Sequence, residues 1–317
     1  MTDSTKIVAL LFPGQGSQSI GMGKELAEKF PLARQTFAEA DDALGYKLSQ
    51  LCFEGAEEQL RLTEITQPAI LTASVAALRV LETRIPKPCY VAGHSLGEYS
   101  AHVAAGTFTF ADAVRTVRNR GKYMQEAVPV GVGAMAAILG MDFEKVAAVC
   151  HDAAQGEVCE PANINSPEQI VISGNAAAVE RATKLADARG AKRARLLPVS
   201  APFHCSLMKP AQDRLEVDLN ALKMEKPAYP IACNVEADFV SDDLRARDTL
   251  VRQVTGSVKW EQCMRLLIAQ NVETFIEVGP GKVLCGLMRQ IDRSKMCLNV
   301  GDDASLTKAL EQLEATS

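Results

Sequence analysis

Short, wholly apolar runs alternate along this chain with longer stretches whose apolar residues recur at helical spacing. Ile7 to Phe12 are all apolar and stop at Pro13-Gly14, which predicts a strand ending in a turn. Helical patterns follow over about 24–44 and 67–84, with a short one near 56–62. Cys89-Tyr90-Val91-Ala92-Gly93 predicts a second strand. Leu96 to Ala105 predicts a helix that stops at Gly106, a residue suited to the left-handed position after a helix end. Thr109-Phe110-Ala111-Asp112 opens a helix over about 110–127 in the manner of a capping box.

The middle of the chain has a different rhythm. Val132–Leu139 predicts a strand and Asp142–Gln155 a helix. Cys159–Asn165 and Gln169–Ser173 predict two strands, Ala176–Arg189 a helix ended by Gly190, and Lys192–Val199 a further strand. That order is β-α-β-β-α-β, the ferredoxin-like arrangement. Strands near Ile231–Val235, Thr274–Val278 and Met296–Val300 then alternate with helices. The expected fold is α/β: a large hydrolase-like domain with a mostly parallel sheet, formed by residues 1–130 and 201–317, and a ferredoxin-like small domain inserted over 131–200.

Composition narrows the function. Apolar residues make up 47% of the chain and charged residues 23%, as in ordinary globular proteins. A net charge of −5 gives no general basic footprint for nucleic acid. No run approaches the roughly 20 apolar residues of a membrane span. The polar start, Met1 to Lys6, is followed by too short an apolar run for a signal peptide. Nine cysteines without a C-x-x-C pair suit a reducing cytoplasm, where they serve as small apolar residues.

Residues 93–97 read Gly-His-Ser-Leu-Gly, and they stand between a predicted strand and a predicted helix. A G-x-S-x-G in that context is a nucleophile elbow, a tight turn that lifts the serine hydroxyl off the sheet. Ser95 then needs a base, and the chain holds four histidines. His94 adjoins Ser95 in the turn, so its side chain points elsewhere. His102 lies seven residues along the same helix, about 10 Å away. His151 belongs to a charged helix of the middle segment. His204 follows Val199-Ser200-Ala201-Pro202-Phe203, a loop where the two domains meet, and clefts between domains favour ligand sites. Elimination selects His204, although each histidine also has a purely structural reading. Cys205 beside it is a competing nucleophile without an elbow. The acids between Ser95 and His204 fall mostly on polar helix faces, so no triad acid stands out.

Arg120 breaks the pattern of the helix over 110–127. It follows Ala113 and Val117 at helical spacing and precedes Met124 by four, on or beside the apolar face. A buried guanidinium needs a partner. That partner is either a protein carboxylate or the carboxylate of a substrate, which arginine grips with two parallel hydrogen bonds.

Together these segments resemble malonyl-CoA:acyl carrier protein transacylases and the acyltransferase domains of polyketide synthases. The resemblance runs from Phe12-Pro13-Gly14-Gln15-Gly16-Ser17-Gln18 through Gly93–Glu98, Arg120-Gly121-Lys122, Ala162–Pro167 and Pro202–Cys205 to Gln253–Trp260 and Glu277–Gly281. It implies Ser95 as acylated nucleophile and His204 as base. It implies an oxyanion hole from the backbone amides of Gln15 and Leu96, with His204 oriented by the backbone carbonyl of Gln253. Arg120 would hold the malonyl carboxylate, and Asn163 would lie near the site. Phe203 stands where an aromatic residue accompanies malonyl rather than methylmalonyl in related polyketide enzymes. The implied reaction is ping-pong transfer from malonyl-CoA to the phosphopantetheine thiol of acyl carrier protein, with no metal or redox cofactor, by a cytoplasmic monomer. The alternatives are service to a polyketide synthase, or a serine thioesterase or hydrolase. Arg189-Gly190-Ala191-Lys192-Arg193-Ala194-Arg195 is a candidate basic patch for an acidic carrier protein.

Overall fold

The computed structural model describes residues 7–199 and 201–315; the polar start over 1–6, Ser200 and residues 316–317 lie outside the described residues. The chain begins with β1 (Val8–Phe12), then α1 (Lys24–Lys29), α2 (Pro31–Leu44), α3 (Leu48–Glu54), α4 (Glu57–Leu60) and α5 (Thr63–Leu81). The elbow region follows as β2 (Tyr90–Gly93), α6 (Gly97–Ala104) and α7 (Phe110–Ala127). The middle segment is β3 (Gly133–Leu139), α8 (Phe143–Ala154), β4 (Cys159–Ser166), β5 (Gln169–Asn175), α9 (Ala176–Ala188) and β6 (Arg193–Leu196). The chain then runs through α10 (Lys209–Ala221), β7 (Ile231–Ala232), β8 (Phe239–Val240), α11 (Asp243–Arg252) and α12 (Trp260–Ala269). It closes with β9 (Thr274–Val278), α13 (Val283–Ile291), β10 (Met296–Val300) and α14 (Asp303–Ala315).

Two sheets result. The first has the order β10-β9-β1-β2-β7-β8, and every neighbouring pair is parallel except the β7-β8 hairpin. The second is antiparallel with the order β4-β5-β3-β6, the ferredoxin-like order. All its strands lie between Gly133 and Leu196. Helices α8 and α9 supply Val146, Val149, Val179 and Ala182 to its separate apolar core.

Several expected boundaries move for identifiable reasons. The single helical pattern over 24–44 is two helices, because Pro31 starts α2 and Phe30 before it is extended. The pattern over 67–84 starts a turn earlier, at Thr63, and carries Pro68 inside α5. Helix α3 was not expected; it buries only Leu48 and Cys52, too few positions to show a period. The strand expected to reach Val199 stops at Leu196, ahead of Pro198. The strand expected over 231–235 stops at Ala232, where the chain turns into β8 and releases Asn234 toward the elbow.

Parallel register brings the site together. Phe12 at the end of β1 pairs with Gly93 at the end of β2. The turns that follow both strands therefore lie side by side at the carboxyl edge of the sheet, where open α/β sheets bind ligands. Nearly all of α5 is buried, and it forms the floor on which α7 packs.

Candidate active site

Ser95 has φ 52, left-handed backbone that a non-glycine residue adopts only when its surroundings enforce it. The enforcement is visible on both of its peptide groups. The Ser95 N–H donates to Asn234 Oδ1 at 2.7 Å, and the Ser95 carbonyl accepts from Gln253 Nε2 at 3.0 Å. Asn234 Nδ2 in turn donates to the Gly93 carbonyl at 2.8 Å. No side chain fits at the base of the turn, since a Cβ on Gly93 would lie 1.9 Å from the Gly97 carbonyl carbon.

The raised hydroxyl meets His204. Ser95 Oγ and His204 Nε2 are 2.6 Å apart across 109 residues of sequence. His204 Nδ1 lies 2.9 Å from the Gln253 carbonyl oxygen. A carbonyl only accepts, so Nδ1 carries the proton and Nε2 is left to accept from Ser95. His204 also has left-handed backbone, φ 59, and is buried. Burial first, and the nearby Arg120 second, push its pKa down to about 3, so the free site holds a neutral imidazole.

Arg120 is buried, as its position on the apolar face of α7 predicts. It is drawn close to α5 by Gly121, where a Cβ would lie 2.5 Å from the Thr63 carbonyl oxygen. One guanidinium nitrogen donates to Gln67 Oε1 at 2.8 Å. The other donates to Gln253 Oε1 at 3.0 Å and to Ser95 Oγ at 3.2 Å. Among the described residues no carboxylate stands within ion-pair distance of it. The guanidinium is thus held by neutral amides beside the nucleophile.

A serine on an elbow, a neutral histidine and an arginine without a carboxylate partner form an arrangement that can carry out acyl transfer. A model of the acyl transferase domain family matches residues 9–307. The chain belongs to this family. A Salmonella typhimurium (strain LT2) protein named malonyl CoA-acyl carrier protein transacylase is 50% identical over 305 residues, 96% of this chain and 99% of its own. The structure of the malonyl CoA-acyl carrier protein transacylase from Coxiella burnetii superposes with a TM-score of 0.95 at 43% identity, covering 97% of this chain and 98% of that one. A malonyl-transacylase solved in complex with a type II polyketide synthase acyl-carrier protein also gives 0.95, at 48% identity, over 97% of this chain and all of the other.

This acyltransferase carries the remaining expected residues around a cavity of about 1300 Å³ between the two sheets. Gln15 and Leu96 line it from the turns after β1 and β2. Leu96 is the N-cap residue of α6, so its amide has no acceptor within the helix. Asn163 and Asn165, two apart on β4, both face the cavity. Asn163 is buried there, and the backbone on either side of it is tied to Val258 by a short parallel bridge. Asn165 reaches the elbow itself, with Oδ1 2.8 Å from His94 Nε2. Phe203 lines the wall beside His204.

Three residues escape sequence reading. Asn165 and Asn234 are polar residues at strand ends, where turns also place asparagine. Glu98 has no role in the sequence reading, yet it is fully buried at the site. Its Oε2 accepts from the Asn234 amide at 3.0 Å and from Gln253 Nε2 at 2.7 Å. The sequence carries no signal of this: the burial of every residue from Gly97 to His102 is set by what packs around α6.

The other candidates fall away. His102 is buried against Thr107, His151 is exposed on α8, and His94 turns to Asn165. Cys205 is buried and its Sγ donates to the Pro202 carbonyl; burial lifts its pKa to about 11. In the basic stretch, Arg189 pairs with Asp152 and Lys192 with Glu168, while Arg193 and Arg195 are exposed. Among the described residues no helix is long and apolar enough to cross a membrane, and no three His, Cys, Asp or Glu side chains are grouped to hold a metal ion.

Proposed function

We propose that this acyltransferase moves a malonyl group from malonyl-CoA to the phosphopantetheine thiol of acyl carrier protein through a malonyl-Ser95 intermediate. His204 Nε2 takes the Ser95 proton as Oγ attacks the thioester carbon. The amides of Leu96 and Gln15 hold the oxyanion, and Nε2 returns the proton to the departing CoA sulfur. The carrier thiol then attacks the ester and gives its proton to Nε2, which passes it to Ser95. The scheme uses no metal and no redox cofactor.

One observation carries this reading: Arg120 touches Ser95 Oγ itself, at 3.2 Å. A carboxylate on Arg120 and an ester on Ser95 are then separated by a very short acyl chain, as in malonate. The substrate anion also offsets the Arg120 charge that disfavours an imidazolium at His204. Asn163 shapes the wall facing the acyl group. Every one of these residues comes from a single chain, so a monomer is chemically complete. The nine cysteines are free thiols, which suits a reducing cytoplasm.

Incubation with radiolabelled malonyl-CoA is expected to place one label on Ser95 and release free CoA, with no label on a Ser95→Ala variant. Free malonate released without any gain from carrier protein would identify a hydrolase instead. The solved complex of a malonyl-transacylase with a type II polyketide synthase carrier favours a second destination for the acyl group. Transfer rates to fatty-acid and polyketide carrier proteins, compared side by side, decide between them.

A further inference from the structure

Beneath the elbow lies a buried carboxyl, Glu98, that the reaction scheme does not use. The Glu98 carboxyl and the Arg120 guanidinium do not touch. They face each other across one carboxamide: Gln253 Oε1 accepts from Arg120 at 3.0 Å and Gln253 Nε2 donates to Glu98 at 2.7 Å. Those partners fix the amide in this orientation. Both charged groups are buried. Glu98 Oε1 finds no hydrogen-bond partner among the described residues. Such an oxygen is costly on a carboxylate and much less so on a neutral carboxyl.

Among the described residues, Arg120 is the one cation that acts on Glu98 in the free enzyme. The other ionisable groups facing it are Tyr99 on α6, Cys233 after β7 and Cys263 on α12, and burial raises the pKa of all three. They stay neutral and leave the balance to Arg120. On the reading given above, the malonyl carboxylate takes Arg120 for itself. Glu98, if still ionised, would then be a second anion sharing one buried cation.

We propose that Glu98 is a positioning residue that binds one solvent proton as the malonyl carboxylate reaches Arg120. The site then holds one anion and one cation before loading and after it. The balance is malonyl-CoA, Ser95 hydroxyl, Glu98 carboxylate and a proton giving malonyl-Ser95, CoA thiol and Glu98 carboxylic acid. Protonation removes the charge while Oε2 still accepts from Asn234 and Gln253, so both holds on the Ser95 backbone persist. Burial already brings the Glu98 pKa up to about 7, within reach of such a switch.

The test follows protons and acyl groups together. Enzyme is mixed with excess malonyl-CoA in weakly buffered solution with an indicator dye, well below the pKa of the released thiol. Uptake approaching one proton per malonyl-Ser95 is expected well above pH 7, shrinking toward none as the pH falls through about 7. Acetyl-CoA has no carboxylate and is expected to give no uptake. Glu98→Gln keeps an acceptor for both amides and is expected to load malonyl with the uptake lost. If that variant does not fold, the malonyl and acetyl traces of the unaltered enzyme carry the test. Malonyl-Ser95 formed with no proton uptake, or uptake that is equal with acetyl-CoA or persists in Glu98→Gln, overturns the proposal alone. Absence of any acyl-serine overturns the parent reading with it.

Discussion

Gly97 packs its bare α-carbon against the Phe12 carbonyl: a Cβ there would stand 2.0 Å from that oxygen. This contact sets the elbow down on the end of β1 and brings Ser95 beside the Pro13-Gly14-Gln15 turn. Gly97→Ala must push the two turns apart. We expect a loss of about 1–3 kcal/mol or more in stability, together with a marked drop in acyl-Ser95 formation. Calorimetry and malonyl labelling of the same preparation check both effects. An unchanged melting temperature would show that the turns have slack.

Arg120→Ala is expected to lower kcat/KM for malonyl loading by about 10²–10³, the scale of removing one member of a buried charged pair. Loading of acetyl groups should fall far less, so the malonyl-to-acetyl ratio collapses. Competition between the two thioesters measures that ratio directly. If malonyl preference survives the change, Arg120 is not the carboxylate site.

Asn234 is buried, and its side chain joins the Gly93 carbonyl to the Ser95 amide. Asn234→Ala leaves both groups without that partner and relaxes the left-handed turn. A cost of about 1–3 kcal/mol in urea stability is expected, with kcat reduced more than KM is altered. Burst kinetics with malonyl-CoA separate the two parameters. An effect on KM alone would count against a role in aiming the serine.

His102 gives the stability a pH dependence of definite sign. Burial pushes its pKa down to about 3, whereas it is near 6.5 in the unfolded chain. Between those values the unfolded chain binds the proton and the folded chain does not. The stabilisation is complete above about pH 6.5 and is lost as pH falls toward 3. His102→Gln should flatten the stability slope between pH 6 and pH 5 by about 1.2 kcal/mol per unit. Urea titrations at the two pH values provide the comparison, and parallel slopes would refute it.

Much of this was readable from the sequence, and the limits have physical causes. The strands β1 and β2 are compact apolar runs, and β9 and β10 are apolar but for Thr274, Glu277 and Asn299. The ferredoxin-like order stood out because each of its elements is bounded by a glycine, a proline or a cap. Ser95 and Arg120 each break a local pattern, the first by its glycines and the second by sitting on an apolar face. His204 came from elimination among four histidines. What could not be read is contact across the fold. Nothing in residues 231–240 announces that the strand ends early and gives Asn234 to the elbow. Glu98 carries the most polar of labels in a helix that proves to have no polar side.

The Gln253 carbonyl that holds His204 has a consequence for how this enzyme can vary. That acceptor belongs to the main chain at the end of α11, so no substitution of the residue removes it. The side chain of the same residue serves other partners, namely Arg120, Glu98 and the Ser95 carbonyl. One position therefore carries two heritable traits of unequal fragility. On the proposed function, changes of side chain would drift the acyl preference through Arg120 while the base stays aligned. Only a change in the path of the backbone, such as an insertion near α11, would disarm the histidine.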